Sequence, residues 1–88
     1  MDLILAVSKA GHDKGQSYVV LEEGNDFFLL ANGETKKVQK PKKKKKIHVQ
    51  VIKNIPAEVC QVADEAETLN DLSVKRILKI YSRRNKDV

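Results

Sequence analysis

Eighty-eight residues with 17 Lys and Arg against 12 Asp and Glu carry a formal charge of +5. That length suits one small domain with at most an appendage, and it excludes a doubly wound nucleotide-binding sheet or a (β/α)8 barrel. A single cysteine, Cys60, excludes an internal disulfide framework and a cysteine-built zinc site, and it points to a reducing, cytoplasmic setting.

Residues 3–7 (LILAV) form a short apolar run rich in branched side chains and predict a first strand. The run lacks a basic lead-in and is too short for a signal peptide or a membrane span. After the loop SKAGHDKGQ, the segment SYVVLE predicts a second strand, EGND its turn, and FFLLA a third. Asn32-Gly33 is a strong hairpin signal, because both central positions of a type I′ turn need positive φ. The fourth strand is then expected over ETKKVQ, residues 34–39. In IHVQVI, residues 47–52, Ile47, Val49 and Val51 alternate with His48 and Gln50, a period of two that implies one buried face. Five short strands in about fifty residues predict a mainly β fold, a small five-stranded barrel or strongly curled sheet over residues 1–53.

Pro56 changes the texture of the chain, since proline suits the first turn of a helix. Val59, Val62, Ala63 and Ala66 follow at helical spacing. A second helix is expected from Asn70 as N-cap, with Asp71 in its first turn and Val74, Ile77, Leu78 and Tyr81 on one face. Arg83, Arg84 and Lys86 lie at the end where cations are favoured. Residues 54–88 are thus read as a helical pair, either packed on the sheet or projecting from it.

Charge is strongly segregated. Residues 1–35 sum to −4, residues 36–53 to +9 with no acid at all, residues 54–72 to −5 and residues 73–88 to +5. Such a layout raises the local field far above what the total suggests and favours a polyanionic partner. The block comprises Lys36, Lys37, Lys40, Lys42, Lys43, Lys44, Lys45 and Lys46. Lysine outnumbers arginine, which appears only near the C-terminal end. A flexible point charge suits backbone and shape recognition better than base reading, so duplex or folded RNA is the fitting target.

In the loop after the first strand, Gly11 and Gly15 stand four apart with Lys14 between them. Glycine at both ends lets a loop bend tightly and approach a ligand, with Lys9, His12 and Lys14 directed at phosphate oxygens. The order SKAGHDKG, YVVLE, FFLLANGETKKV, KPKKKKKIHVQ resembles the KOW-motif proteins of the translation SH3-like barrel superfamily. More narrowly, it is similar to the ribosomal proteins L14e, L6e and L27e and their small bacterial relatives. The resemblance spans residues 3–50 and implies an SH3-like barrel that binds structured, ribosomal RNA, with ribosomal proteins as further neighbours. Gln16 and Ser17 stand where the family pattern has a basic residue. The helices after Pro56 lie outside the pattern.

Each of these features has a plainer reading. The lysine run is also a solvated loop, a nuclear import signal or a weak anchor to an anionic membrane. The two glycines also serve as mere turn formers. His12 reads as a surface residue, and His48 as a better RNA contact beside the block. Phe27 and Phe28 cannot both face inward, so one is core and the other covers a helix or offers a stacking platform. Tyr18 and Tyr81 are packing residues, Cys60 a small buried or half-buried hydrophobe, and Asp64, Glu65 and Glu67 a hydrated helix face. No nucleophile set or cofactor motif is present, so the expected role is non-catalytic. Six lysines on phosphates would give a salt slope of about −4 to −5. On that reading, changing Lys42 to Lys46 to Gln weakens RNA binding without unfolding the domain. The rival function is a protein-interaction module that uses the apolar face of the second helix.

Overall fold

A computed structural model describes residues 3–84. Five strands form one antiparallel sheet: β1 (Leu5–Ser8), β2 (Ser17–Glu23), β3 (Phe27–Ala31), β4 (Lys42–Lys45) and β5 (Val49–Val51). Two helices follow, α1 (Ala57–Glu65) and α2 (Asp71–Arg84). The sheet order is β4-β3-β2-β1-β5, so consecutive strands β4 and β5 occupy opposite edges. A single 3-10 turn, Lys46–His48, carries the chain from one edge to the other. The sheet is open, with no ladder between its two edges, so the closed barrel expected from the sequence is not formed by hydrogen bonding.

The alternation of apolar residues fixes two faces. Leu5 and Val19 are paired across β1 and β2 and point toward the helices, where Val59, Ala63, Val74 and Ile77 complete a cluster with no exposed surface. Ala6 and Tyr18, the next pair, point the other way and join Val20, Phe28, Leu30 and Val49 in a second cluster. A bulge between Val20 and Glu22 leaves Leu21 as the extra residue, which packs toward the helices. Fully burying side chains of this kind contributes about 1.5–3 kcal/mol each, so the helices are held on the sheet and do not project from it.

Three expectations are corrected here. The segment 34–39 is not a strand, because it offers no apolar alternation and Asn32 captures its backbone. The Asn32 Oδ1 accepts the N–H groups of Glu34 and Lys36, both at 2.9 Å, while its own Nδ2 donates to Thr35 Oγ1. The fourth strand is instead the lysine run itself, with Lys42 opposite Leu30, Lys43 opposite Leu29, Lys44 opposite Phe28 and Lys45 opposite Phe27. An apolar β3 needs a partner for its backbone, and the nearest extended segment downstream supplies it whatever its side chains. Ile47, expected on the buried face, is 72% exposed because the 3-10 turn interrupts the period of two just before Val49.

The helices follow their signals. Pro56 caps α1, Val59 and Ala63 are buried, and Cys60 is half-buried. Asn70 Oδ1 accepts the N–H of Ser73 at 2.9 Å, and Ser73 Oγ accepts the N–H of Asn70 at 2.8 Å. This reciprocal cap satisfies two donors that would otherwise be orphaned at the start of α2. Asn70→Ala is expected to lower stability by about 1 kcal/mol, measured by urea denaturation. Arg83 is exposed in the last turn, whereas Lys86 and the side chain of Arg84 lie outside the described residues.

Candidate nucleic-acid interface

Strands β1 and β3 run in the same direction, so the loops that follow them lie at the same end of the sheet. Those loops, residues 9–16 and 32–41, together hold five lysines and two acids. The opposite end carries Glu22 and Glu23 at the end of β2 and Asp26 in the β2–β3 turn, with Lys45 and Lys46 beside them at the end of β4. Charge is thus unevenly spread, with Lys9, Lys14, Lys36, Lys37 and Lys40 gathered at one end and acids mixed with lysines at the other. Lys9, Lys14, Lys37 and Lys40 are exposed there, and Lys36 is half-buried. His12 is exposed in the first loop. Exposed His48 is tied to that loop through its carbonyl, which accepts the Lys9 N–H at 2.8 Å.

The glycines of the first loop serve its shape. Gly11 and Gly15 have φ of 86° and 90°, and the Gly15 N–H donates to the Ser8 carbonyl at 2.8 Å, closing the loop on the end of β1. The loop is anchored from below by a residue that sequence reasoning passed over. Asp13 is 8% exposed and accepts hydrogen bonds from Ser8 Oγ at 2.9 Å and Tyr18 Oη at 2.7 Å. Lys44 Nζ reaches the same carboxylate at 2.8 Å and Lys42 Nζ at 3.2 Å. Lys44 Nζ also donates to the Ala10 carbonyl at 2.8 Å.

Burial alone would raise the Asp13 carboxyl. The bonds from Lys44, Tyr18, Ser8 and Lys42 outweigh it and hold the group well below the usual carboxylate range. Burial, then the hydrogen bond to Asp13 and its negative charge, push the Tyr18 phenol up. The site was not singled out in the sequence because its lysine partners lie some thirty residues away. The available signal was a lone acid inside a glycine-bounded loop, five residues from both Ser8 and Tyr18.

The lysine run is therefore not one uniform cluster. A strand sends successive side chains to opposite faces, so Lys42 and Lys44 turn inward to Asp13 while Lys43 and Lys45 turn outward. Lys43 Nζ sits over the Phe27 ring at 4.4 Å from its centroid. Lys46 forms an ion pair with Glu23. This has an immediate structural purpose. β4 is an edge strand, and inward-turned charges on an edge oppose its pairing with another sheet. Phe27 covers Gly24 instead of a helix, and Phe28 is the core member of the pair.

Among the described residues, no three His, Cys, Asp or Glu side chains are grouped to hold a metal. Among them no helix is long and apolar enough to cross a membrane. The apolar face of α2, considered above for a protein partner, is used in the shared core through Val74 and Ile77. The chain matches no known protein family, and no curated protein is found to be similar to it in sequence.

Proposed function

We propose that the protein is a non-catalytic RNA-binding module that grips the phosphate backbone of structured RNA, with ribosomal RNA as the setting, through the basic end of its sheet. The observation that carries this reading is the convergence of two lysine-bearing loops, 9–16 and 32–41, at one end of the sheet. Such a cluster of cations attracts a polyanion to that end. The resemblance to KOW-motif proteins, whose barrels are SH3-like, favours RNA over other polyanions.

The contact set differs from the one the lysine run suggests by itself. Lys42 and Lys44 already serve Asp13, and Lys46 serves Glu23, so these cations are partly neutralised within the chain. Lys9, Lys14, Lys37 and Lys40 are the exposed cations of the two loops, with Lys36, His12 and His48 beside them and Gly11 and Gly15 shaping the first loop. Four phosphate contacts set a slope of log K on log salt of about −3 to −4, shallower than a six-lysine grip.

Binding of a 20-base-pair RNA duplex, followed by fluorescence anisotropy from low to moderate salt, tests this. The wild-type chain is expected to show a slope at least that steep. The variant Lys9→Gln/Lys14→Gln/Lys37→Gln/Lys40→Gln is expected to lose at least tenfold in affinity and most of the slope while keeping its thermal transition. An affinity unaltered by the four changes refutes the reading. A DNA duplex of equal length that competes equally removes the preference for RNA. Cosedimentation with the large ribosomal subunit, lost at moderate salt, is the expected result for the ribosomal setting.

A further inference from the structure

The lysine-rich loops do not account for all the positive charge at this end of the molecule. Helix α2 carries Lys75, Arg76 and Lys79 on exposed positions, opposite the Val74 and Ile77 that face the core. These three cations line one wall of an open cleft of about 820 Å³, large enough for nucleotide-sized groups. The facing wall is Gly15, Gln16 and Ser17, the second half of the β1–β2 loop, together with Asn32 from the β3–β4 loop. Gly15 leaves open space where a side chain would stand. Gln16 and Ser17 thus share the lining of one open cleft with three cations.

We propose that this cleft is a second phosphate site, occupied by the backbone of the same RNA as it passes the β1–β2 loop. The proposal rests on the RNA reading above, and it adds α2, which lies outside the KOW-like segment, to the contact surface. Three features favour a phosphate backbone. First, the one acid in the lining, Glu34, places its Oε1 at 3.7 Å from Lys75 Nζ, the position a phosphate oxygen would take. Second, the cleft is open and polar, which suits a passing polymer better than an enclosed small molecule. Third, Gly15 in the lining directly follows exposed Lys14, so the cleft adjoins the basic loop. Asp13 of that loop presents little charge to it, being buried and paired with two lysines.

Amide chemical shifts of the full chain, titrated separately with the 20-base-pair RNA duplex, with tripolyphosphate and with polyglutamate, test the proposal. Signals of Gly15, Ser17, Asn32, Lys75 and Lys79 are expected to move with RNA and with tripolyphosphate. Lys75→Gln/Lys79→Gln is expected to make the RNA salt slope shallower by about 1.5, the share of two phosphate contacts. Glu34→Gln, which removes the competing carboxylate, is expected to tighten RNA binding two- to threefold. Movement of the Lys9 and Lys37 signals with RNA while the cleft signals stay still overturns the cleft and leaves the RNA reading intact. Movement of the cleft with tripolyphosphate but no response anywhere to RNA overturns the RNA reading and keeps a phosphate site. A cleft that responds only to polyglutamate overturns the proposal in favour of an acidic peptide.

Discussion

Replacing Asp13 with Asn is expected to destabilise the domain by about 3 kcal/mol, the scale for breaking a buried ion pair by removing one partner. For a domain of this size that is a fall in Tm of roughly 12–24 °C. The cause is an ammonium group left without a counter-charge. Lys44, whose side chain is only 10% exposed, has the Asp13 carboxylate and the Ala10 carbonyl as partners, and only the carboxylate carries charge. Adding Lys44→Met to Asp13→Asn should therefore recover part of the loss. Strict additivity of the two changes, measured by thermal and urea unfolding, would contradict this account. The same geometry revises what the lysine run suggests by itself. Changing Lys42 to Lys46 together to Gln removes both cations from a buried carboxylate, so that variant is expected to lose stability as well as any RNA affinity.

The pH dependence follows with a definite sign. The folded Asp13 carboxyl is held below its unfolded value of about 3.9, so its contribution is complete above that pH. It is lost as pH falls below about 4 toward the lower folded value, because the unfolded chain then binds the proton first. The stability difference between wild type and Asp13→Asn should hold steady from pH 8 to 5 and shrink below pH 4. Tyr18 acts in the opposite sense. Its raised phenol keeps its contribution below its unfolded value of about 10 and loses it as pH climbs beyond that. A difference that grows on acidification would contradict the assignment.

Gly33→Ala is the second large effect expected, at about 3 kcal/mol. Gly33 has φ of 79°, which L side chains adopt at a cost of about 1–2 kcal/mol. A β-carbon there would also stand 2.5 Å from the Asp71 carbonyl oxygen and 3.2 Å from the Lys75 amide nitrogen, so α2 would have to move off the loop. Gly15→Ala is the matched control. Its φ is 90° but nothing lies within 4 Å of the added carbon, so only the conformational cost of about 1–2 kcal/mol is expected. Equal losses at the two positions, measured by urea denaturation, would remove packing against α2 from the explanation. The docking is reinforced nearby, where the Val38 N–H donates to Asp71 Oδ1 at 2.8 Å.

Asn32-Gly33 illustrates how a correct local signal leads to a wrong element. The pair does turn the chain, and Gly33 does take positive φ, as the dipeptide demands. The turn belongs to a ten-residue connection that seats a helix, because Asn32 binds the backbone ahead of it more favourably than a polar fourth strand could bind β3. The lysine run shows the converse. Lysine has weak strand preference, and repulsion along the run argues for a loop, yet the unpaired backbone of Phe27–Ala31 draws it into the sheet. Cross-strand pairing then sorts its members by parity, an outcome that no charge count contains.

The sequence by itself determined the charge segregation, three apolar strands, the two helices with the Asn70 cap, and the glycine-bounded loop with exposed Lys9, His12 and Lys14. These are readable because each depends on neighbours within a few residues. Only the tertiary structure decided which lysines are free, that Asp13 binds the loop to the edge strand, and that α2 completes a basic cleft. Those outcomes depend on partners some thirty to sixty residues apart, brought together by the register of the sheet and by burial of one face of α2 against it.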